Sequence, residues 1–477
     1  MDSNNKQLVL QIKNHKELVL DGRNDLSLTK ILSSDDCQRI VLECREFRDR
    51  IYTPLKTIFT FIKQVLSPDK SCKKAVSDVV VETLSKEGKR ISNNTGPYCK
   101  ARKRIPENTV HSLVKTIGEM ASKKSLSQWQ CYGRELKVID GSTVKMADTE
   151  ENQLAYPQVE NQKKGLGFPI MRFVVVMSLT VGVVLNYALS AYSGKGTGES
   201  SLLRTIMESV KENDVFLGDR YFPNFFLMCD LKRIGADGIF RGHYQRKYDF
   251  RTGIWLGKND HITKWKKPSR PEWMLDEEYI LYPDELAMRE FKVDGNIYVT
   301  TFLNSKKHPK NELAQIYRRR WDVEINLNSI KTIMNMDFLL CKTPEMVRKE
   351  IGAHFLAYNV IRIIMGTACA KHNALPWKIS FKGAVQLVHS FMPHFLNSSE
   401  EKNKILFAEM MRLIIQNKVG NRPGRVEPRA VKQRPKDFPL LTRPRGSERI
   451  KLLKKIERRI LRNIVENSLI ESAYVLR

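Results

Sequence analysis

The stretch YRRRWDVEINLNSIK, from Tyr317 to Lys331, surrounds a glutamate with basic side chains. At about 100° per residue, an α-helix would gather four of its polar side chains within an arc of about 60°. These four are Tyr317, Arg320, Glu324 and Lys331. A carboxylate among cations could bind a metal ion beside phosphate groups. The commoner arrangement is an exposed, salt-bridged helix face, and these residues alone leave both interpretations open.

Two aspartates extend the case for metal chemistry. Asp140 ends the predicted strand LKVID, and Asp219 ends VFLGD. The carboxyl end of a core strand faces the crevice where α/β sheets usually bind ligands, although a lone strand-end aspartate is more often a turn residue or a helix cap. Converging carboxylates repel one another unless cations neutralise them. Oxygen ligands without histidine or thiolate suit Mg²⁺ or Mn²⁺, and two such ions about 4 Å apart can catalyse phosphodiester chemistry.

The elements around these residues predict a mixed α/β core. Apolar residues at helical spacing predict a helix from about Lys310 to Met336, docked on the core by its apolar stripe. The valine-rich stretch 168–192 predicts two buried strands joined by a turn near Thr180–Gly182. The predicted regions are a helical DNA-binding region at 1–125, the first core part at 126–241, a β-rich insertion at 242–309, the second core part at 310–390, and a basic C-terminal region at 391–477.

Composition predicts a partner and a compartment. The 477-residue chain has 81 Lys+Arg against 53 Asp+Glu, a formal charge of +28. This excess predicts nucleic acid as partner, because the basic residues recur along the whole chain and do not form one membrane-adjacent block. The start lacks a signal-peptide pattern, and the eight cysteines form no C-x-x-C pair, which argues against a zinc site and for a reducing compartment. We therefore expect a cytoplasmic, nucleoid-associated protein without a membrane segment.

Two basic segments are candidates for DNA binding. Predicted breaks at Gly88, Thr95 and Pro106 give the spacing of a helix–turn–helix. Its second element, YCKARKR, carries Tyr98, Arg102 and Arg104. Those side chains would face DNA if this is a recognition helix, and water if it is an ordinary basic helix. The second segment, 417–447, is proline-rich and basic and cannot bury enough apolar surface to fold alone.

The spacing Tyr317-x2-Arg320-x3-Glu324-x6-Lys331 resembles the Y-R-E-K signature of the insertion-sequence type 4 family of DDE transposases. The segments TGPYCKARKRIP, VIDGSTV, LGDRYF, FLAYNVIRIIM and GRVEPRAVKQRPKDFPLL also resemble that family, in the same order. The resemblance covers most of the chain and is loose in the first sixty and last thirty residues.

The resemblance implies an RNase H-like core with Asp140, Asp219 and Glu324 as ligands of Mg²⁺, for which Mn²⁺ substitutes. It implies a homodimeric enzyme that cuts double-stranded DNA at inverted terminal repeats and joins the freed 3′-OH to a target; several members form a DNA hairpin. The implied DNA contacts are Tyr317, Arg320, Lys331, Trp321, Arg220 and Arg241. Candidates for an aromatic that wedges beside a flipped base are Trp255, Trp265 and Tyr298. Trp321 would stack on a base or pack in the core.

Two other functions fit the same features. One is a catalytically silent DNA-binding regulator or inhibitor of transposition, and the other is a stand-alone nuclease. The presence of all three carboxylates does not favour the first. Inverted repeats and a short target duplication flanking the gene would favour the transposase over both.

Overall fold

The computed structural model describes residues 34–42, 44, 51–395, 398–420 and 441–475. Most of the predicted basic segment 417–447 and the first part of region 1–125 lie outside these residues. The described helices are α1 Asp35–Leu42, α2 Pro54–Leu66, α3 Cys72–Glu87, α4 Gly96–Arg104, α5 Glu107–Lys123, α6 Glu150–Ala155, α7 Glu199–Thr205, α8 Phe225–Ile234, α9 Asp276–Ile280, α10 Lys310–Arg318, α11 Trp321–Asn328, α12 Pro344–Lys371, α13 Phe381–Phe395, α14 Glu400–Gln416 and α15 Arg445–Val475. Short 3₁₀ turns lie at Ser127–Trp129, Met207–Ser209 and Pro376–Lys378.

A large mixed sheet forms the centre of the molecule. Its strands are β1 Leu136–Met146, β2 Ile170–Ser178, β3 Val184–Ala191, β4 Val215–Gly218, β5 Asp237–Arg241, β6 Ile254–Gly257, β7 Asp260–Lys266, β8 Glu285–Val293, β9 Asn296–Thr300 and β10 Phe338–Leu339. The order across the sheet is β3-β2-β1-β4-β5-β9-β8-β7-β6, with β10 pairing to β1. Strands β1, β4 and β5 are parallel, whereas β2 and β3 run antiparallel. The mixed α/β class predicted from the sequence is confirmed.

The N-terminal helices end where the sequence predicts. Helix α3 stops at Gly88, which adopts φ 63° and closes the helix in a left-handed cap that glycine accepts at low cost. Helix α4 follows Thr95, and α5 follows Pro106. Helix α5 packs on β3 and on α12, so this helical region rests on the core sheet.

The predicted strand pair within 168–192 is confirmed as the hairpin β2–β3. Gly182 has φ 85° in its turn. Two side chains of α12 hold this turn: the Tyr358 hydroxyl donates to the Gly182 carbonyl at 2.7 Å, and Asn359 bonds both backbone groups of Val184. The valine-rich sequence is buried because α12 and α5 cover this face.

The predicted end of the first core strand is wrong. The strand was expected to stop at Asp140, but β1 continues to Met146 because residues beyond Asp140 stay paired with β2, as in Ser142 opposite Phe173. Its other neighbour ends earlier: β1 pairs with β4 only through Val138 opposite Leu217. Asp140 therefore lies in the middle of β1, just beyond the last residue of β1 that pairs with β4.

The region 242–309 is β-rich, as predicted, and its strands extend the core sheet. Strand β9 pairs antiparallel with β5, and β8, β7 and β6 follow outward. A buried ion pair helps to fix this part: Arg289 donates to both oxygens of Asp260 at 2.8 and 2.6 Å. The strands of this region are thus continuous with the strands that carry the site.

The single helix predicted from Lys310 to Met336 is interrupted. Between α10 and α11 the backbone tightens, with the amides of Arg319 and Arg320 bonding three residues back to Ile316 and Tyr317. After α11 it widens into a π-helical turn, Ser329–Ile333, a feature often found at functional sites. A uniform 100° per residue therefore does not hold across the four signature residues.

Helix α12 is the longest apolar helix of the core. Within the described residues it is the one helix long and apolar enough to cross a membrane, but 89% of its apolar window is buried by the rest of the protein. Length and composition alone are weak grounds, since the core helix of a globular domain passes the same test. Its burial identifies α12 as a core helix.

Candidate active site

Two aspartates lie close together where β1 and β4 separate. The Asp140 carboxylate accepts from the Gly141 amide at 2.9 Å, and Asp219, directly after β4, accepts from the Tyr221 amide at 2.8 Å. Burial raises the pKa of Asp140 to about 6, against the lowering effects of the Gly141 amide and Arg320 and with the nearby Glu199 and Asp219 carboxylates raising it further. Burial therefore makes ionisation of Asp140 unfavourable, although Arg320 partly offsets this effect.

Glu324 is paired with an arginine one turn earlier. Arg320 donates to its carboxylate at 2.8 Å; the Arg320 side chain is 10% exposed, whereas that of Glu324 is 44% exposed. Arg320 also acts electrostatically on Asp140. The guanidinium thus links Glu324 on α11 to the aspartate on β1.

The other two signature residues also meet the core strands. Lys331, in the π-helical turn, donates to the Ser142 hydroxyl at 3.0 Å, two residues beyond Asp140. Tyr317 is buried, and its ring lies edge-on to Tyr298 at 5.3 Å. Burial raises the pKa of Tyr317 to about 12, with Arg320 opposing the rise and Asp219 adding to it. The signature helix, by which we mean α10, α11 and the π-helical turn, therefore places tyrosine, arginine and lysine side chains near the edge occupied by Asp140 and Asp219.

A fourth carboxylate at this edge is missed by the sequence reasoning. Glu199, the first residue of α7, lies against the Gly141 backbone so closely that a Cβ on Gly141 would fall 2.2 Å from its Oε1. Burial, then the Asp219 charge, raises the pKa of Glu199. The sequence signal is the glycine-rich loop GKGTGES, but nothing local in it indicates that its glutamate lies against Gly141.

The donor set suits a hard divalent cation. Within the described part of the chain, no group of three or more acidic, histidine or cysteine side chains converges tightly enough to hold a metal ion in this conformation. Burial raises the pKa of both Asp140 and Glu199, and the neighbouring carboxylate charges, including that of Asp219, raise these pKa values further. A dication bound by oxygen ligands would offset these effects, so the residues fit Mg²⁺ or Mn²⁺.

The remaining predicted contacts around the site differ in exposure. Trp321 is 57% exposed, with the Arg320 guanidinium 4.9 Å from its ring centre, so it is not the core tryptophan that the sequence left open. Arg220 is half-buried beside Asp219. Arg241, at the end of β5, is half-buried and bonded to the Asn296 side chain. Trp321 is therefore the most exposed of these three side chains.

The predicted recognition-helix residues do not share one surface. Tyr98 is fully buried and its hydroxyl donates to Gln64 at 2.8 Å. Arg102 is 8% exposed and bonds Gln64 and the Cys72 sulfur. Arg104 is exposed. The burial of Tyr98 and Arg102 and their bonds to Gln64 and Cys72 suit packing between α2, α3 and α4.

The three wedge candidates of the insertion also separate by exposure. Trp265 is buried and donates to Glu290 at 2.8 Å. Tyr298 is buried against Phe291, with ring centres 5.2 Å apart. Trp255 on β6 is 72% exposed. Of the three, only Trp255 has a ring that DNA could reach without rearrangement.

Comparison with known proteins identifies the family. Residues 132–360 match the family model of the transposase DDE domain, a span that contains Asp140, Asp219 and Glu324. The transposase InsG of insertion sequence element IS4, from Escherichia coli strain K12, is 24% identical over 356 residues, covering 73% of this chain and 78% of the relative. The putative transposase InsL of IS186A, from the same strain, is 30% identical over 67 residues, covering 14% and 18%. The matched domain and the long alignment with an IS4 transposase agree with the Y-R-E-K spacing, and the chain therefore belongs to the DDE transposases of the insertion-sequence type 4 family.

Proposed function

We propose that this transposase cuts DNA at the inverted terminal repeats of its element and joins the freed 3′-OH ends to target DNA, with Asp140, Asp219 and Glu324 as ligands of Mg²⁺. The observation that carries the proposal is that Glu324 and its neighbours approach the aspartates: Arg320, bonded to Glu324, acts electrostatically on Asp140, and Lys331 donates to the Ser142 hydroxyl two residues along β1. A structural salt bridge on an exposed helix would need neither link.

The core is proposed to be RNase H-like. Support comes from the strand order β3-β2-β1-β4-β5, with β2 antiparallel to β1 and with β4 and β5 parallel to it. Strand β4 ends beside the middle of β1, so Asp219, directly after β4, comes next to Asp140, which supports the roles given to these two aspartates. The insertion between Asp219 and Glu324 then supplies further DNA-facing surface.

Each side chain of the site has its own proposed role in holding the DNA. A bound divalent cation supplies charge for the attacking and leaving oxygens of phosphodiester chemistry. Arg320 exchanges its contact with Glu324 for a phosphate, and Lys331 binds a second phosphate from the π-helical turn. Tyr317, whose ring packs edge-on to Tyr298, orients the strand by hydrogen bonding through its hydroxyl. Trp321 stacks on a base at the rim, a contact that contributes about 1–3 kcal/mol.

Two further features belong to the proposal. The partner is double-stranded DNA, both element end and target, which accords with the charge of +28. The working form is a homodimer that holds two ends together in the cytoplasm. A catalytically silent regulator is the alternative, and no feature of the site favours it.

The test of this function is cleavage of the element's own terminal repeat. A labelled duplex spanning the repeat and its flank should be cut at the junction with Mg²⁺ or Mn²⁺, and cutting should stop with EDTA because the site offers only oxygen ligands. Cleavage that persists in EDTA would exclude the metal assignment. Tight, metal-independent binding without cleavage would identify the silent regulator.

Salt dependence tests the basic helix α4. Each phosphate neutralised adds about 0.9 to the slope of log affinity against log salt. Replacing the exposed Lys103 and Arg104 by alanine should therefore lower that slope by up to about 2 in fluorescence-anisotropy titrations. The matched control replaces Lys74 and Lys86, which lie on α3 outside the predicted recognition helix, and should leave the slope unchanged. Equal slopes in both variants would mean that α4 does not contact DNA.

A further inference from the structure

Three aromatic rings form an exposed cluster beside the candidate active site. His243 and Tyr244 stack with ring centres 4.7 Å apart at 24°, and Tyr221 stands edge-on to them at 5.7 and 6.4 Å. Tyr221 is 62% exposed and Tyr244 is 64% exposed. Large rings left in water lose the stabilisation that burial would give, so a structural role alone accounts poorly for them.

The cluster is attached to Asp219. Tyr221 follows that residue by two positions, and its amide donates to the Asp219 carboxylate at 2.8 Å. The other two rings come from the segment after β5, which pairs with β4 up to Gly218 opposite Phe240. Because the two strands are parallel neighbours, the segments that leave them emerge side by side. The rings therefore stand at the same edge as the carboxylates.

The segment that carries His243 and Tyr244 is held in place. The Tyr248 hydroxyl donates to the His243 carbonyl at 3.2 Å and fills the space in which a Cβ of residue 242 would lie. Arg246 lies 3.8 Å from the Trp265 ring centre and donates to buried Glu290 at 3.2 Å. The rings are thus presented from a supported loop, which lowers the entropy cost of binding against them.

We propose that Tyr221, His243 and Tyr244 form a stacking platform for an unpaired nucleobase of the DNA strand held at Asp219. The ligand class follows from the surroundings. Arg220 directly precedes Tyr221 in the chain, and Lys247 follows Tyr244 by three residues, so basic residues lie on both ring-bearing segments, which suits a base with its phosphates better than an apolar peptide. The platform lies on the segments after β4 and β5 and is separate from Trp255 on the outer strand β6. This inference rests on the proposed function, because it requires a DNA end at Asp219.

The experiment uses the full chain and a duplex of its terminal repeat with a short single-stranded tail carrying 2-aminopurine, in EDTA so that no cutting occurs. Wild-type protein should quench the fluorescent base by stacking. The double variant Tyr221→Ala, Tyr244→Ala should lose most of the quenching and bind the tailed duplex about tenfold more weakly, as expected for one lost base stack. Its affinity for the blunt duplex should be unchanged.

The controls separate the platform from the rest of the protein. Tyr244→Phe keeps the ring and should quench like wild type. Circular dichroism checks that the double variant folds, as its exposed positions predict. Wild-type quenching by the double variant, or no quenching by wild type, would overturn the platform. Failure of the cleavage assay on the blunt duplex would instead refute the proposed function and leave the quenching result standing.

Discussion

Replacing Glu324 by glutamine is expected to abolish cutting of the terminal repeat while leaving the fold and DNA binding intact. Glutamine retains an oxygen that can accept from Arg320, and the lost ion pair is part-exposed, so the stability cost should be at most about 1 kcal/mol. Loss of a metal ligand removes several kcal/mol of transition-state stabilisation, and each 1.36 kcal/mol is about tenfold in rate. Cleavage should fall by about a thousandfold or more, measured with a labelled duplex.

A matched control lies on the same helix turn. Asp322→Asn removes the charge that pairs with Arg319 at 3.2 Å, a salt bridge of similar exposure that does not face Asp140. This variant should cut within a few-fold of wild type. Gel-shift titrations should show that Glu324→Gln binds the duplex at least as tightly as wild type, since one negative charge near the phosphates is gone. Wild-type cleavage by Glu324→Gln would remove the basis for the triad.

Asp140→Asn should make the cation-free protein more stable and inactive. Burial raises the pKa of Asp140 to about 6 from its ordinary value of 3.8, so the ionised carboxylate is destabilising in the fold. A rise of about two pKa units corresponds to about 2–3 kcal/mol at pH 7, because one unit is 1.36 kcal/mol. Removing the charge should raise the melting temperature in EDTA and, as for Glu324, eliminate cutting.

The pH dependence of this gain in stability provides an internal control. A raised carboxyl pKa means that the folded protein holds the Asp140 proton more tightly than the unfolded chain does. The cost of ionisation is therefore absent below about pH 4, grows as the pH rises through about 6, and is fully present at pH 7. In thermal unfolding with EDTA, the variant should have a higher melting temperature than wild type at pH 7 and the same melting temperature near pH 4. An equal gain at both values would mean that the stabilisation has another source.

Local sequence was sufficient where local chemistry decides the structure. The left-handed φ of Gly88 and Gly182 closes a helix and a hairpin at the predicted positions, because glycine adopts that conformation at little cost. The valine run forms β2 and β3 because it is hydrophobic on both faces and is covered by helices. The signature spacing identified Glu324 and the basic residues that reach the core.

Long-range pairing decided the rest. Strand β1 continues past Asp140 because β2 remains paired with it after β4 has ended. The local sequence around Asp140 does not show how far β2 extends. Tyr98 and Arg102 look like a solvated basic face in sequence, yet the packing of α2, α3 and α4 buries them. Glu199 joins the carboxylates only because α7 begins against the Gly141 backbone. Helix periodicity likewise fails where the backbone tightens and then widens around α11.

The central claim is that Asp140, Asp219 and Glu324 bind the catalytic cation beside a DNA end. Anomalous diffraction from crystals of the protein bound to its terminal-repeat duplex with Mn²⁺ tests it most directly. The account predicts manganese about 2.0–2.2 Å from carboxylate oxygens of Asp140 and Asp219, with Glu324 completing the site and the scissile phosphate in contact. Manganese bound elsewhere, with the DNA end seated away from these carboxylates, would contradict it.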